Sequence, residues 1–344
     1  MLFLVAVGLA FLFYVLALLE LRRGPTALTL VVAVAVAIQL TPLAGPLLLS
    51  RDVYSYWAYG RIVATYDRNP FVAPPIRFAH DPATRAVAWK RQTSVYGPAF
   101  TLAAGGVAAA ARRSPELASL LFRIVAALGG IAATALAAVI ARRKAFAAVF
   151  VGWNPLVALS FAGGGHNDAW MVVLLLGALA LVSRRRYVVG GAVWALAGAI
   201  KAPALALLLL QRSGRGVWLG AAAAAVIVAA ASTAIFGASW LSAVTPLAGR
   251  EASFGLTARL EALGVPSPAA HGLPLVALAA GALYLARRRP SLSLGAALLV
   301  LTSPWVLPWY ATWPVALAAV EEDSAAQVVA VALALYLLPD RVPL

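Results

Sequence analysis

A carboxylate, Asp52, opens an aromatic stretch with the sequence RDVYSYWAYGR. If this stretch is helical, Tyr56 and Tyr59 follow Asp52 by four and seven residues and line up near it on one face. A fixed acceptor beside flat apolar rings is suited to bind a sugar, which presents hydroxyl groups and C–H faces. The alternatives are an ion pair of Asp52 with Arg51 or Arg61, and an interfacial belt of aromatic residues.

A second polar motif, GGGHND, places His166, Asn167 and Asp168 directly after three glycines. Glycine backbone can approach a ligand closely, and the three side chains offer a donor or acceptor, an amide and a carboxylate. The motif is no nucleotide-binding P-loop, because the Lys-Ser/Thr pair of such a loop is missing. The simpler alternative is a glycine-rich turn in which Asn167 or Asp168 caps a helix that starts at Ala169.

Lys201 stands between two long apolar runs, where an ammonium group without a partner is costly. Its partner is either an anionic ligand group, such as a phosphate, or the carboxylate of Asp168. A third motif, SPWVLPWYATW, contains Trp309 and Tyr310. It predicts either the wall of a lipid or sugar groove or an interfacial aromatic belt. The residues alone leave both pairs of alternatives open.

Metal and nucleic acid are not expected as ligands. The three histidines, His80, His166 and His271, lie far apart and lack the usual metal-ligand spacings, so we expect no cofactor. The net charge of +15 could suggest nucleic acid, but the basic residues form short clusters between hydrophobic runs, with no basic domain to hold a duplex.

Long apolar segments must position these motifs. Of the 344 residues, 63% are hydrophobic, and the mean hydropathy is +0.91, whereas soluble domains contain roughly 45–50% apolar residues. Runs such as 26–49 and 119–140 approach the roughly 20 residues that a helix needs to cross a bilayer. Because these runs are continuously apolar, they favour helices over a barrel. We predict an all-α, polytopic transmembrane bundle with roughly ten to twelve crossings, formed as a single membrane domain over 1–344.

Five basic clusters set the predicted orientation, because the positive-inside rule places them all in the cytoplasm. They occupy positions 22–23, 142–144, 184–186, 212–215 and 287–289. Every unusual polar or aromatic motif then falls on the other side of the membrane. That side receives a long first loop at 51–96 with juxtamembrane helices, a second loop at 237–272, GGGHND, the region of Lys201 and SPWVLPWY.

Three segments need separate predictions. The run 97–111 would add one crossing too many, so we interpret it as a juxtamembrane or re-entrant helix. The run 187–211 is too short for two full spans, and Pro203 disfavours helix before it, which predicts two short helices that meet near Lys201. The acidic residues at 321–323 are expected to form a solvated loop.

Five stretches resemble, in order, the motifs of the polytopic GT-C glycosyltransferases. They are RDVYSYWAYGRIVATYDRNPF, VYGPAF, WNPLVALSFAGGGHNDAWMV, AIKAPAL and SPWVLPWYATWP. The resemblance extends over about 50–315. It points especially to the actinobacterial polyprenol-phosphate-mannose-dependent alpha-mannosyltransferases and the related glycosyltransferase family 87. Members of this group are often longer than this chain, so the acceptor of the longer members is not carried over.

The resemblance implies a multi-pass enzyme of the plasma membrane with its active site on the extracytoplasmic face. Its donor would be a polyprenyl-phosphate sugar, with mannose as the expected sugar, and its acceptor a hydroxyl group of a glycan or glycolipid. Asp52 matches the acid expected as general base in this family. Asp168 would be a second acid that orients the acceptor or Asp52.

The chemistry implied is a single displacement. Asp52 takes the proton of the acceptor hydroxyl as that oxygen attacks the anomeric carbon, and the lipid phosphate leaves from the opposite face. The reaction inverts the anomeric centre. Cationic groups would hold the phosphate, and the candidates are Lys201, Arg51, Arg61 and Arg250. The candidate contacts to sugar or acceptor are Tyr56, Tyr59, His166, Asn167, Trp309 and Tyr310.

Two alternatives remain. The same fold could use another polyprenyl-linked sugar, a pentose or glucose, because pocket shape decides between them. A transporter or lipid flippase could instead use Lys201 and Asp168 as a gate. The absence of an inverted repeat and the concentration of polar motifs on one face count against transport.

Overall fold

The computed structural model describes residues 2–22, 24, 27–244 and 254–338, in which helix dominates and no strand occurs. The predicted all-α class is confirmed. The α-helices are α1 (Leu2–Leu21), α2 (Leu28–Leu40), α3 (Asp52–Ala64), α4 (Pro82–Ala86), α5 (Pro98–Ala111), α6 (Pro115–Ile140), α7 (Lys144–Gly152), α8 (Pro155–Ala158), α9 (Asp168–Ser183), α10 (Tyr187–Ile200), α11 (Pro203–Leu208), α12 (Arg215–Phe236), α13 (Leu256–Ala262), α14 (Ser267–Arg287), α15 (Leu292–Thr302), α16 (Thr312–Glu321) and α17 (Ser324–Leu337). A π-helical turn, Leu159–Gly163, and four 3₁₀ turns, Thr41–Ala44, Pro75–Phe78, Gly237–Val244 and Pro308–Ala311, complete the secondary structure.

Four helices of the described chain, α1, α6, α12 and α14, are long and apolar enough to cross a membrane. A fifth span results if α7 and α8, which meet at a bend of 51°, count as one. Six shorter apolar helices of 10–17 residues accompany them. The chain is therefore a helical membrane protein, and the number of crossings stays a prediction.

The bend between α7 and α8 is supported by side chains of neighbouring helices. Helix α7 ends at Gly152, and the last carbonyl groups of a helix lack helical partners. Gln39 of α2 donates to the carbonyl of Gly152 at 3.0 Å, and Tyr14 of α1 donates to that of Phe150 at 2.8 Å. These buried carbonyl groups are therefore paired, which stabilises the bend through which the chain leads to GGGHND.

The predicted break near Lys201 is confirmed. Helix α10 ends at Ile200 and α11 begins at Pro203, so Lys201 lies in the connection. The indole N–H of Trp194 in α10 donates to the carbonyl of Ala204 in α11 at 2.7 Å. This bond links the two short helices and fixes where the Lys201 side chain begins.

The first predicted loop, 51–96, contains α3 and α4 and leads into α5. Helices α3 and α5 approach so closely that a Cβ added at Gly60 would lie 2.3 Å from the carbonyl oxygen of Ala104. The carbonyl of Arg112, just after α5, accepts a hydrogen bond from the guanidinium of Arg61 in α3. Helix α5 has only 14 residues, which fits its interpretation as a juxtamembrane or re-entrant helix.

Three of the five predicted cytoplasmic clusters meet at one end of the bundle, through Arg22, Arg142 and Arg289. Arg22 donates to Gln327, Arg142 pairs with Glu322 at 3.0 Å, and Arg289 with Asp323 at 2.6 Å. Helix α6 starts next to Arg112 and ends next to Arg142, and its 26 residues correspond to about 39 Å of length. This arginine-rich end therefore lies far from α3. Arg23 is outside the described residues.

The expectation of a solvated loop at 321–323 is wrong for Glu321. Its carboxylate accepts hydrogen bonds from the Ser291 hydroxyl at 2.6 Å, from the Ser293 N–H at 3.2 Å and from the Leu292 N–H. These groups form the N-terminus of α15, whose unpaired N–H groups attract an anion. Nothing in the sequence near Glu321 indicated that this helix end faces it.

Candidate active site

A cavity of about 1060 Å³ opens beside the N-terminus of α3. Its polar lining includes Ser50, Arg51, Asp52, Ser55, Tyr56, Tyr59, Asn167 and Lys201. Aromatic walls come from Trp89, Tyr96, Trp240, Trp305, Trp309, Tyr310 and Trp313. An aliphatic lining comes from α10, α11, α12, α14 and α15, with Ala195, Leu205, Ala206, Ala225, Val228, Ala229, Leu275, Leu278 and Leu299. A ligand with a polar head and an apolar tail matches this composition.

Asp52 stands in the first turn of α3, where the helix N-terminus stabilises a carboxylate. Its backbone N–H donates to the hydroxyl of Ser50 at 2.9 Å, which fixes the start of the helix. The side chain is 22% exposed and lies on the cavity wall. Asp52 can therefore meet a ligand in the cavity.

His166 lies behind that carboxylate. Its Nδ1 is 3.8 Å from Oδ2 of Asp52, and its ring stacks on Trp309 with 3.7 Å between the centroids. The imidazole is fully buried, and Trp309 rather than His166 lines the cavity. The predicted contact of His166 with a sugar does not follow from this position, whereas a contact with Asp52 does.

Tyr56 and Asn167 form a polar pair on the wall. The Tyr56 hydroxyl donates to Oδ1 of Asn167 at 3.5 Å and accepts from the Asn167 N–H at 3.4 Å. Burial, followed by the nearby charges of Asp52 and Asp168, raises the pKa of Tyr56 well above its ordinary value, so the phenol stays protonated. Within the described chain the buried Asn167 Nδ2 has no hydrogen-bond partner.

Lys201 and Asp168 form an ion pair, which selects one of the two partners considered for Lys201. Its ammonium is 2.8 and 2.9 Å from the two Asp168 oxygens, and the Trp313 indole N–H also donates to Asp168. The same ammonium is 4.2 Å from the Tyr310 ring centroid. Asp168 is fully buried, while 18% of the Lys201 side chain is exposed on the cavity. Asp168 thus contacts Lys201 and Trp313.

The four basic residues predicted to bind the phosphate differ in their position relative to the cavity. Arg51 and Lys201 line the cavity. Arg61 does not, because its guanidinium pairs with Asp81 at 2.7 Å and is buried. Arg250 lies outside the described residues. Of the three candidates within the described residues, Arg51 and Lys201 are therefore placed where they could reach a ligand.

The Arg61 pair stabilises the first loop. Asp81 also accepts from the Tyr66 hydroxyl and from the N–H of Ala83, both at 2.8 Å, the latter as the cap of α4. Burial of Asp81 opposes ionisation, but the hydrogen bonds from Arg61, Ala83 and Tyr66 outweigh it and lower the pKa of Asp81. This cluster holds α3 and α4 together, and with them the position of Asp52.

Tyr59 is the remaining predicted contact on α3. Its ring lines the cavity, and its hydroxyl donates to the carbonyl of Gln92 at 2.9 Å. Trp309 and Tyr310 also line the cavity, in the 3₁₀ turn before α16. The three motifs singled out from the sequence therefore meet at one cavity.

Two residues with a place in the site were not among the predicted site residues, although Trp313 lies within the quoted motif SPWVLPWYATW. Trp313 donates to Asp168, and Arg123 of α6 donates to the carbonyls that precede the two motifs. Arg123 did carry a signal, since it is the one charged residue in the apolar run 117–141. In the described part of the chain, no group of three or more His, Cys, Asp or Glu residues is arranged to hold a metal ion.

Comparisons with known proteins bear on the same region. A family model described as "Alpha-(1->6)-mannopyranosyltransferase, N-terminal domain" matches residues 1–211. Two curated relatives named alpha-(1->6)-mannopyranosyltransferase A are each 28% identical to the chain. The match to the Mycobacterium tuberculosis protein covers 80% of this chain and 63% of the relative, and that to the Corynebacterium glutamicum protein covers 50% and 35%. The chain thus spans less than two thirds of these relatives. No solved structure matches it.

Proposed function

The chain belongs to the alpha-(1->6)-mannopyranosyltransferase family, and from this premise we propose that it transfers mannose from a polyprenyl-phosphate donor to a hydroxyl group of a glycan or glycolipid. The observation that carries the proposal is the partly exposed Asp52 carboxylate on the wall of a cavity that also presents Arg51 and Lys201. A base and two cations at one cavity are the groups that a displacement at a sugar phosphate needs.

Asp52 acts as the general base in this proposal. It removes the proton of the acceptor hydroxyl while that oxygen forms a bond to the anomeric carbon. The bond from this carbon to the phosphate oxygen breaks, and its electron pair leaves with the lipid phosphate. One displacement inverts the anomeric centre, so a beta-linked donor gives an alpha-linked product. The reaction as proposed needs no cofactor.

Arg51 and Lys201 hold the phosphate. Both are cations that line the cavity, and charge-assisted hydrogen bonds to phosphate are stronger than neutral ones. Asp168 occupies one side of the Lys201 ammonium, so a phosphate oxygen would share the ammonium with Asp168 on the side that faces the cavity. In this proposal Asp168 orients the Lys201 ammonium, whereas the resemblance implies that it orients the acceptor or Asp52.

The apolar part of the cavity accommodates the polyprenyl tail. Val228 and Ala229 of α12 face the cavity together with Leu275 and Leu278 of α14. These residues lie within helices long enough to cross a membrane, so an isoprenoid chain would stay in an apolar environment while its phosphate reaches Lys201. This arrangement favours a lipid-linked donor over a sugar nucleotide.

The enzymatic proposal is tested with purified protein, radiolabelled polyprenyl-phosphate mannose and membrane glycolipid acceptors. We expect a product with a new alpha-mannosidic bond, and no product when a nucleotide-linked mannose replaces the lipid donor. Transfer from the nucleotide donor would contradict the proposal. So would passage of the donor across vesicles without a new glycosidic bond, which is the behaviour of a flippase.

We assign the site to the extracytoplasmic face, because the arginine-rich end lies at the opposite end of α6. The chain has no cysteine, so a single introduced thiol can report on sidedness. A membrane-impermeant maleimide should label W89C in intact cells, since Trp89 lines the cavity and is 43% exposed. The control R142C should react only after lysis. Labelling in the reverse order would refute the orientation.

A further inference from the structure

Arg123 is a buried cation that the proposed chemistry does not use. It lies within α6, is 5% exposed and does not line the cavity. No carboxylate lies within ion-pair distance of it in the described part of the chain. Its guanidinium instead donates to two backbone carbonyls, through Nε to Ala162 at 2.8 Å and through Nη2 to Pro42. A buried cation bound only to neutral acceptors is costly in a membrane protein and indicates a specific role.

The two carbonyls belong to the two segments that lead into the site. Pro42 lies in the 3₁₀ turn that precedes Asp52, and Ala162 lies in the π-helical turn that precedes His166. A single guanidinium can bond to both carbonyls, because its planar group presents N–H donors in two directions. Arg123 is therefore a bridge between the Asp52 segment and the GGGHND segment.

Two further contacts show how closely these segments pack. The N–H of Leu48 donates to the carbonyl of Gly163 at 2.9 Å. Gly165 has a φ of +68°, and a Cβ added there would lie 2.5 Å from Cγ1 of Val53, the neighbour of Asp52. The two segments are consequently in direct contact, and a small displacement of either would move Asp52 relative to His166.

We propose that Arg123 is a positioning residue that holds Asp52 at its working distance from His166 and Asn167. The proposal rests on the proposed mannosyl transfer. Lysine cannot substitute fully, because its single ammonium lacks the planar fork that reaches both carbonyls. Displacement of a reacting group by about 1 Å can cost roughly a hundredfold in rate, so a remote arginine can control the reaction without touching a substrate.

The first test compares R123M and R123K with the wild type in the mannosyl-transfer assay. We expect kcat to fall by roughly ten- to a hundredfold in R123M, less in R123K, and the KM for the lipid donor to stay close to that of the wild type. T134V is the matched control, since Thr134 is a buried polar residue of the same helix whose hydroxyl donates to the carbonyl of Gly130 in that helix. If R123M does not fold, R123K decides. A folded variant with a wild-type kcat would overturn the proposal.

The second test restores the position covalently. A Cβ added at Gly163 would lie 3.4 Å from the Cβ of Leu48, close to the spacing of about 3.5–4.5 Å found in disulfides. In an R123M background, the oxidised L48C/G163C pair should recover activity that the reduced pair lacks, and the same pair with Arg123 intact is the reference. Equal activity of the oxidised and reduced forms would contradict a positioning role.

A third measurement separates this proposal from the enzymatic one. Amide hydrogen exchange should become faster in R123M at 42–53 and 160–168 and stay unchanged in α17. This result does not depend on turnover. If the wild type shows no mannosyl transfer, the enzymatic proposal fails on its own account. If exchange at both segments is unchanged in R123M, the bridge itself is refuted.

Discussion

At the arginine-rich end of the bundle, Glu322 pairs with Arg142, whose side chain is 91% exposed, and Asp323 pairs with Arg289, which is also exposed. At the cavity end, Asp168 pairs with Lys201 in a buried position, while Asp52 keeps one edge on the cavity. Ion pairs in water contribute little, whereas breaking a buried pair leaves a charge without solvent or partner. The two ends of the bundle therefore differ in how deeply their ion pairs are buried, and we expect the buried pair to matter more for stability.

The largest expected loss of stability is at the buried pair. D168N leaves the Lys201 ammonium without its counterion, and we expect the free energy of unfolding to fall by about 3–5 kcal/mol. Thermal unfolding of the purified protein in detergent measures this effect. The double variant D168N/K201M should recover a large part of the loss, because it removes both charges. A D168N protein as stable as the wild type would contradict the claim that the buried pair contributes more to stability than the exposed pairs.

An intermediate effect is expected at Asp81, which pairs with Arg61 near the cavity end. D81N should lower stability at neutral pH by about 1.5–3 kcal/mol, the range for hydrogen bonds to charged groups. The exposed Asp67 provides the matched control, D67N, for which no such loss is expected.

The pH dependence of the Asp81 effect has a definite sign. The folded pKa of Asp81 is lowered relative to roughly 3.9 in the unfolded chain. Its stabilisation is therefore present above that value and is lost as the pH falls through the folded pKa. The difference in unfolding temperature between the wild type and D81N should shrink below about pH 4. A difference that grows on acidification would show that the pair does not act through ionised Asp81.

The smallest effect is expected at the arginine-rich end. R142Q removes an exposed partner of Glu322, so its change in stability should be about 0–1 kcal/mol, and added salt should reduce it further. Mannosyl transfer should be unchanged. A loss as large as that of D168N would mean that this end, too, depends on specific charge pairs.

Much of the site was predictable because each motif stands at the end of an apolar helical segment. Asp52, Lys201 and Trp309 are far apart in sequence, yet the alternation of basic clusters with polar motifs places all three on one side. The composition of the motifs, with rings beside a carboxylate and a lysine at a helix break, favoured binding of a sugar or of an anionic group. Helix periodicity and topology were sufficient for this level of detail.

The pairings were harder, since they depend on how irregular segments fold. Arg51 and Arg61 both flank Asp52 in sequence, but only the path of the chain from 65 to 97 brings Asp81 to Arg61. No periodic pattern describes that segment. Lys201 had two acceptable partners, and the fold alone decides for Asp168. Arg123 shows the opposite case: it is the one charged residue in the apolar run 117–141, a signal in the sequence that was not used to single it out.

Asp52 provides the most direct test of the central claim, because its neutralisation should affect the reaction and leave the fold intact. The measurement is the single-turnover rate of mannosyl transfer by D52N with lipid donor already bound. We predict donor binding and thermal stability like those of the wild type, and a transfer rate slower by about 10²- to 10⁴-fold, the contribution typical of a general base. Transfer by a folded, donor-bound D52N protein at the wild-type rate would contradict the account.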